Sequence, residues 1–239
     1  MPLQIYKLSD EVPTGKAERK GAGESKEGGE LKITDIKQAV RNENRVNIYV
    51  NGKYSFSLDI AQVVELKVKV GRELTETELA EMKQASEFGK MYQRALEWVL
   101  VRPRSVKELR DYVARRFRAS SPDTLPPRLG DEVVRRLVDK GYADDAKFAQ
   151  YFVENRFVKK GISERRLRLE LQQKGVSREI IDEVLSGSER SEEDEIRKII
   201  ARKRARYTDE KLIQYLCRQG FRYELSRELV SEMDSRSLG

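Results

Sequence analysis

SVKELRDYVARRF (residues 105–117), SERRLRLELQQKG (163–175) and TDEKLIQYLCRQG (208–220) are three versions of one helix. Each opens on Ser105, Ser163 or Thr208, a hydroxyl residue of the kind that caps a helix by accepting a hydrogen bond from its free N–H groups. Four residues later stand Leu109, Leu167 and Leu212. Eight residues after the caps come Val113, Leu171 and Leu216, one turn further along the same face, because positions four apart stack on a helix. Twelve after come Phe117, Gly175 and Gly220. The two glycines stand where a helix closes in the left-handed conformation that glycine adopts at least cost. An internal repeat outranks any single helix as a guide to fold, so Leu109, Leu167 and Leu212 are expected at equivalent buried positions.

Working outward, each of these helices has one before it and one after it. The leading helices read as Met91 to Val101, Asp145 to Val158 and Glu193 to about Arg206. The trailing ones read as Asp131 to about Lys140, Ser177 to Leu185 and Tyr223 to Met233, with apolar pairs Val133 and Leu137, Ile180 and Val184, Leu225 and Leu229. The result is three three-helix units, at 91–141, 142–187 and 192–233, with Ser186 to Asp194 as a polar linker. The first unit departs from the pattern. Phe117 replaces the closing glycine, and Pro122, Pro126 and Pro127 make Arg118 to Gly130 a loop. Short helical repeats bury their apolar faces partly against neighbours and build elongated, curved bodies. Nine packed helices would reach at most on the order of 80 Å.

Upstream the period changes. Residues 1–30 read as a disordered tail, since Lys20 to Glu30 contains no large apolar side chain to offset the entropy of ordering. Leu31, Ile33 and Ile36 predict a strand, and Val46, Ile48 and Val50 alternate before Asn51-Gly52. A two-residue loop would set Ile48 opposite Ser55. A three-residue loop, Asn51 to Lys53, pairs Val50 with Tyr54, Ile48 with Phe56 and Val46 with Leu58, and its single apolar face favours it. Beyond Asp59 the pattern is helical through Val64, and Thr75 with Glu78 forms a capping box for a helix to about Ala85. The fold expected is mainly α: three tandem three-helix repeats after a small hairpin-containing α+β module at 31–85.

The residues that are missing bound the chemistry. The 239 residues include no histidine and one cysteine, Cys217, so imidazole acid-base catalysis, histidine metal sites and thiolate zinc sites lack ligands. Neither a Walker loop nor a dinucleotide-binding glycine fingerprint occurs. Asp144-Asp145 and Glu192-Glu193-Asp194 lie at helix starts, where carboxylates favour the dipole, and are read as capping rather than metal binding. The expectation is a protein without catalysis or cofactor. An unpaired cysteine, no signal peptide and no apolar run approaching the roughly 20 residues of a membrane span point to the cytoplasm.

Charge is the positive signal. Lysine and arginine exceed acids by seven, and they cluster. Arg197, Lys198, Arg202, Lys203, Arg204 and Arg206 crowd one helix, Arg165, Arg166 and Arg168 another, Arg135 and Arg136 a third. Like charges three or four apart destabilise a helix unless an anion answers them. That anion is either a partner or the acids of neighbouring helices, which would leave a solvated face. Arg165 with Arg168, and Arg202 with Arg206, have spacings that let each pair project from one helix face.

Several motifs then carry a resemblance. Arg102-Pro103-Arg104-Ser105 with Glu108-Leu109 and Tyr112, and Gly141-Tyr142-Ala143-Asp144-Asp145 with Phe148-Ala149, Arg156, Gly161, Leu171, Lys174 and Gly175, resemble the RecX family of RecA regulators. Ile48 to Gly52 and Tyr54 to Ser57 are similar to the amino-terminal extension of its longer members. Tyr142, Phe148 and Phe152 are read as core, Gly175 as a helix stop and Asp144 as a cap. The resemblance implies a curved three-helix-repeat body that binds in the groove of a RecA filament on DNA, and the chain is expected to be a monomer. It also implies control of strand exchange and repressor cleavage, hence DNA repair and the SOS response. It transfers no catalytic residue. The alternative is a helical protein that binds DNA weakly and without sequence preference, independently of RecA. In either reading the candidate contacts are Arg135, Arg136, Arg165, Arg166, Arg168, Arg202, Arg204 and Arg206.

Overall fold

The structure is a computed structural model that describes residues 30–40, 42–120 and 128–236. The tail read at 1–30 therefore lies outside the described residues except for Glu30, as do residues 121–127.

Strands β1 (Leu31–Ala39), β2 (Asn42–Val50), β3 (Lys53–Asp59) and β4 (Glu73–Leu74) form an antiparallel sheet in the order β3-β2-β1-β4. Val46 faces Leu58 and Ile48 faces Phe56, as the alternation predicts. Nearer the turn the expected register is wrong. Tyr49, not Val50, pairs with Tyr54, and Val50 pairs with Lys53. The loop is the two residues Asn51 and Gly52, both left-handed (φ 49° and 74°). That combination suits the tight hairpin turn whose twist matches the strands. A bulge after Ile48 absorbs the extra residue, Ser55, which on alternation alone argues against so short a loop. Asn51 also ties the turn to β1, accepting from Lys32 N (3.0 Å) and donating to Glu30 O (3.1 Å).

Helix α1 (Ile60–Glu65) starts at an Asp59–Gln62 capping box, and α2 (Glu76–Leu100) at the expected Thr75–Glu78 box. Between them they cover the buried side chains Ile33, Ile48, Phe56, Leu58 and Met82. Helix α2 does not stop near Ala85. It runs unbroken through the segment expected to separate the sheet module from the first repeat. Small residues in that segment let it approach the sheet: Ser86 is fully buried and donates to Ser57 O (2.6 Å), and Gly89 lies against the Gln62 side chain.

The remaining helices pack in threes. Helix α2 packs with α3 (Val106–Ser120) and α4 (Arg128–Asp139). Next come α5 (Asp145–Asn155), α6 (Glu164–Gln173) and α7 (Arg178–Ser186), and then α8 (Glu192–Lys203), α9 (Asp209–Arg218) and α10 (Tyr223–Arg236). Each set surrounds its own apolar cluster. Leu109, Leu167 and Leu212 are buried in these clusters, as are Val113, Leu171 and Leu216. Gly175 (φ 82°) and Gly220 (φ 96°) close α6 and α9 in the left-handed conformation.

Several boundaries shift. Helix α3 continues through Ser120 instead of ending at Phe117, α5 stops three residues before Val158, and α8 gives way to a 3-10 turn at Arg204–Arg206. In the trailing helices Val133, Leu137 and Leu229 are buried as read, and in the second unit the buried stripe lies one residue later. Ile181 is fully buried while Ile180 and Val184 are partly so, and Val230 joins Leu229 in the core. Thr208 occupies its cap position without a side-chain bond. Phe148 is core, but Tyr142 is 41% exposed, because the left-handed Gly141 turns the chain outward before Ala143 re-enters the core.

Candidate partner-binding surface

The joints between units are built from one device used twice. Ser105 accepts from Glu108 N (3.0 Å), capping α3, and donates its hydroxyl to Lys174 O (2.8 Å) at the end of α6. Ser163 caps α6 through Arg166 N (3.2 Å) and donates to Gln219 O (2.6 Å) at the end of α9. Each serine therefore satisfies a donor of its own helix and an orphan carbonyl of the next unit. The glycine stops matter here. A Cβ on Gly175 would lie 2.8 Å from the Lys107 side chain, and one on Gly220 2.9 Å from Ser163 Oγ. Two carboxylates complete the joints, Asp145 accepting from Val106 N (2.8 Å) and Glu195 from Ile162 N (2.9 Å).

These joints leave the predicted arginines on the outside, where acids answer most of them. Arg135 pairs with Glu132 (2.7 Å) and Asp139 (3.0 Å), while Arg136 pairs with Glu132 (2.7 Å) and lies over the Phe88 ring. Arg166 pairs with Glu170 (3.1 Å), and Arg168 with Glu164 (3.0 Å) and with Asp182 of α7. Hydrogen bonds from Arg136 and then Arg135 hold the Glu132 carboxyl below the usual glutamate range, and Arg168 does the same for Asp182. Arg204 donates to Val230 O (3.2 Å) and pairs with Asp209 (3.0 Å). Arg202 donates to Lys160 O (3.1 Å). Among the described residues, Arg165 and Arg206 make no ion pair within 4.0 Å. Arg202 and Arg206 do not share a helix face, because α8 ends at Lys203 between them.

Sequence reasoning missed the lining of the joint between the first two units. Arg102, Arg104, Lys174 and Tyr151 line two adjoining clefts there and come from three separate segments. The only sequence signal was the pair of arginines around Pro103. A cleft of about 880 Å³ between α5, α7 and α8 is rich in acids, including Glu154, Glu183 and Asp194. Among the described residues, no group of three or more His, Cys, Asp or Glu side chains could hold a metal ion. No described helix is long and apolar enough to cross a membrane.

Comparison with known proteins fits this architecture. Residues 31–75 match the family described as "Regulatory protein RecX N-terminal domain", and residues 144–185 match "RecX, second three-helix domain". A "Regulatory protein RecX" of Listeria monocytogenes serotype 4a is 30% identical over 215 residues, which span 86% of this chain and 77% of the relative. The Bacillus subtilis protein of the same name is 33% identical over 168 residues, 70% of this chain and 60% of the relative. In Listeria welshimeri the match, 32% identical, spans 58% of the relative. A crystal structure of regulatory protein RecX superposes with a TM-score of 0.63 at 23% identity, covering 84% of this chain and 99% of that one, a likeness of fold. The sheet module, the three-helix units and these relatives place the chain in the RecX family of regulatory proteins.

Proposed function

We propose that this protein regulates a RecA recombinase by binding the RecA–DNA filament and lowering its strand-exchange and coprotease activity, without catalysis of its own. It would do so as a cytoplasmic monomer. The observation that carries the reading is membership of a family of regulatory proteins, joined to a body of like helical units whose outer surface is charged. The four apolar clusters support treating the sheet module and the units near 91–141, 142–187 and 192–233 as its modules, with α2 shared by the first two.

The partner-facing residues we assign are Arg165 and Arg206, whose guanidinium groups have no ion pair within the described chain, together with Arg202, which donates only to Lys160 O. Arginine suits acidic side chains and phosphates because its planar fork donates paired hydrogen bonds. Arg135, Arg136, Arg166, Arg168 and Arg204 are a weaker assignment, since a partner would compete with the acids already bound to them.

Sedimentation with RecA, single-stranded DNA and a slowly hydrolysed nucleotide, each omitted in turn, tests the reading. The protein should pellet far more fully with all three present than with any one omitted. Pelleting with DNA alone as fully as with the complete filament would favour a DNA-binding protein that acts without RecA. Changing Arg165 and Arg206 together to Glu should weaken filament association about tenfold or more while leaving the melting temperature nearly unchanged, since exposed charges contribute little to folding. Full association by that variant would remove these residues from the site.

A further inference from the structure

Two clefts of about 480 Å³ each adjoin at the joint between the first and second units and share Glu108 and Lys174 as a wall. Six cations line them, Arg102, Arg104, Arg115, Arg118, Arg156 and Lys174, against three carboxylates. Glu108 is the hub of the group, pairing with Lys174 (2.7 Å) and Arg102 (3.5 Å). One carboxylate between two such cations, with Arg104 beside them, leaves the centre of the joint positive.

Arg104 is held there by a ladder of flat groups. Its guanidinium lies 4.0 Å from the centre of the Trp98 ring, which stacks on Tyr112 at 4.4 Å and 9°. Its Nε is buried and has no hydrogen-bond partner. Burial first, and then the neighbouring Arg102, pull its pKa below the usual arginine range. An arginine locked by stacking, short of hydrogen bonds and facing other cations is arranged for an anion that comes from outside the chain.

The adjoining cleft supplies a ring. Tyr151 is half-buried, lines the cleft with Arg102 and Arg156, and its ring makes no stacking or cation–π contact among the described residues. A positive groove next to an unstacked aromatic is the combination that binds single strands, phosphates along the cations and a base on the ring. An acidic protein segment would meet the cations and leave the ring unused.

We propose that the joint between the first two units is a binding site for single-stranded nucleic acid, in which Arg102, Arg104, Arg115, Arg118 and Lys174 hold phosphate and Tyr151 stacks a base. The site goes beyond the filament reading and shares no residue with Arg165, Arg202 or Arg206. Its test needs no recombinase, so either proposal can fail while the other stands.

The experiment is fluorescence anisotropy of a labelled oligothymidylate with the full chain at increasing salt. Arg115→Gln with Arg118→Gln removes two charges whose side chains, among the described residues, hydrogen-bond to backbone of their own helix. It should leave melting unchanged and flatten the salt dependence by about 0.7 in log–log slope for each phosphate that these side chains neutralise in the wild type. Tyr151→Ala should weaken binding by on the order of tenfold, and Tyr151→Phe should keep it, because any aromatic face stacks a base. An abasic oligomer should bind more weakly than the oligothymidylate and be indifferent to Tyr151→Ala. Unchanged slope in the double arginine variant, or equal weakening on the abasic oligomer with Tyr151→Ala, would overturn the site. Displacement of the oligomer by polyglutamate or inorganic phosphate at matched charge would overturn it in favour of an acidic protein segment or a simple anion.

Discussion

At the scale of single residues, Ser105, Ser163 and the repeat leucines behave as local rules demand, whereas Thr208 makes no side-chain cap bond and the arginines depend on what faces them. Glu170 shows how. Burial pushes its carboxyl up, but hydrogen bonds from Arg156 (2.6 Å) and Arg166 (3.1 Å) outweigh that and hold it below the usual glutamate range. A depressed folded-state pKa means that the unfolded chain binds the proton more readily. The stabilisation is whole above the ordinary glutamate value and is lost as pH falls through the lower, folded one. Melting followed down through the acidic range should therefore steepen in the wild type, and Glu170→Gln should flatten that slope while costing on the order of 1 kcal/mol at neutral pH. Parallel curves for the two proteins would mean that the arginine pairs contribute nothing to folding. Arg166 is legible as one of a cluster. Its ion pair with Glu170 follows the local i,i+4 spacing, but its hydrogen bond to the Gln219 amide, 53 residues away, does not.

At the scale of elements, glycines at chain reversals separate local conformation from packing. Gly141 (φ 71°) and Gly161 (φ 77°) share the left-handed backbone, so alanine at either should cost roughly 1–2 kcal/mol. Space around them differs. A Cβ on Gly141 meets nothing within 4 Å, while one on Gly161 would lie 2.4 Å from Glu195 O and 2.8 Å from Ile199. Gly161→Ala should cost about 1 to 3 kcal/mol more than Gly141→Ala in urea denaturation, because the clash is with backbone that cannot step aside. Equal costs would show that the second joint gives way easily. The hairpin makes the same point about legibility. Asn51-Gly52 marks the turn, but only the pairing of three strands reveals that a bulge, rather than a longer loop, restores the apolar register.

At the scale of the whole molecule, the units are joined by polar groups that their own helices cannot satisfy. Glu195 is 2% exposed, accepts from Ile162 N, and faces Arg190 (3.6 Å) and Lys198 (2.6 Å). Arg190 in turn donates to Arg156 O (2.7 Å), which ties the polar linker read at Ser186 to Asp194 to the second unit. Glu195→Ala would strand Arg190 and a buried N–H, with an expected cost of about 3–5 kcal/mol. Chemical denaturation should show that cost, and a value below about 1 kcal/mol would mean that the second joint opens to water easily. What the sequence by itself determined is the repeat: helix starts, the leucine face and the glycine stops all arise from residues within one or two turns of each other. The tertiary structure alone decided that α2 is continuous, that Tyr142 points outward, and which arginines are left over. It also decided that Arg104 and Tyr151 line adjoining clefts. The bonds behind those outcomes join residues as far as 69 positions apart, such as Ser105 and Lys174, and no local spacing encodes which carbonyl or carboxylate will arrive.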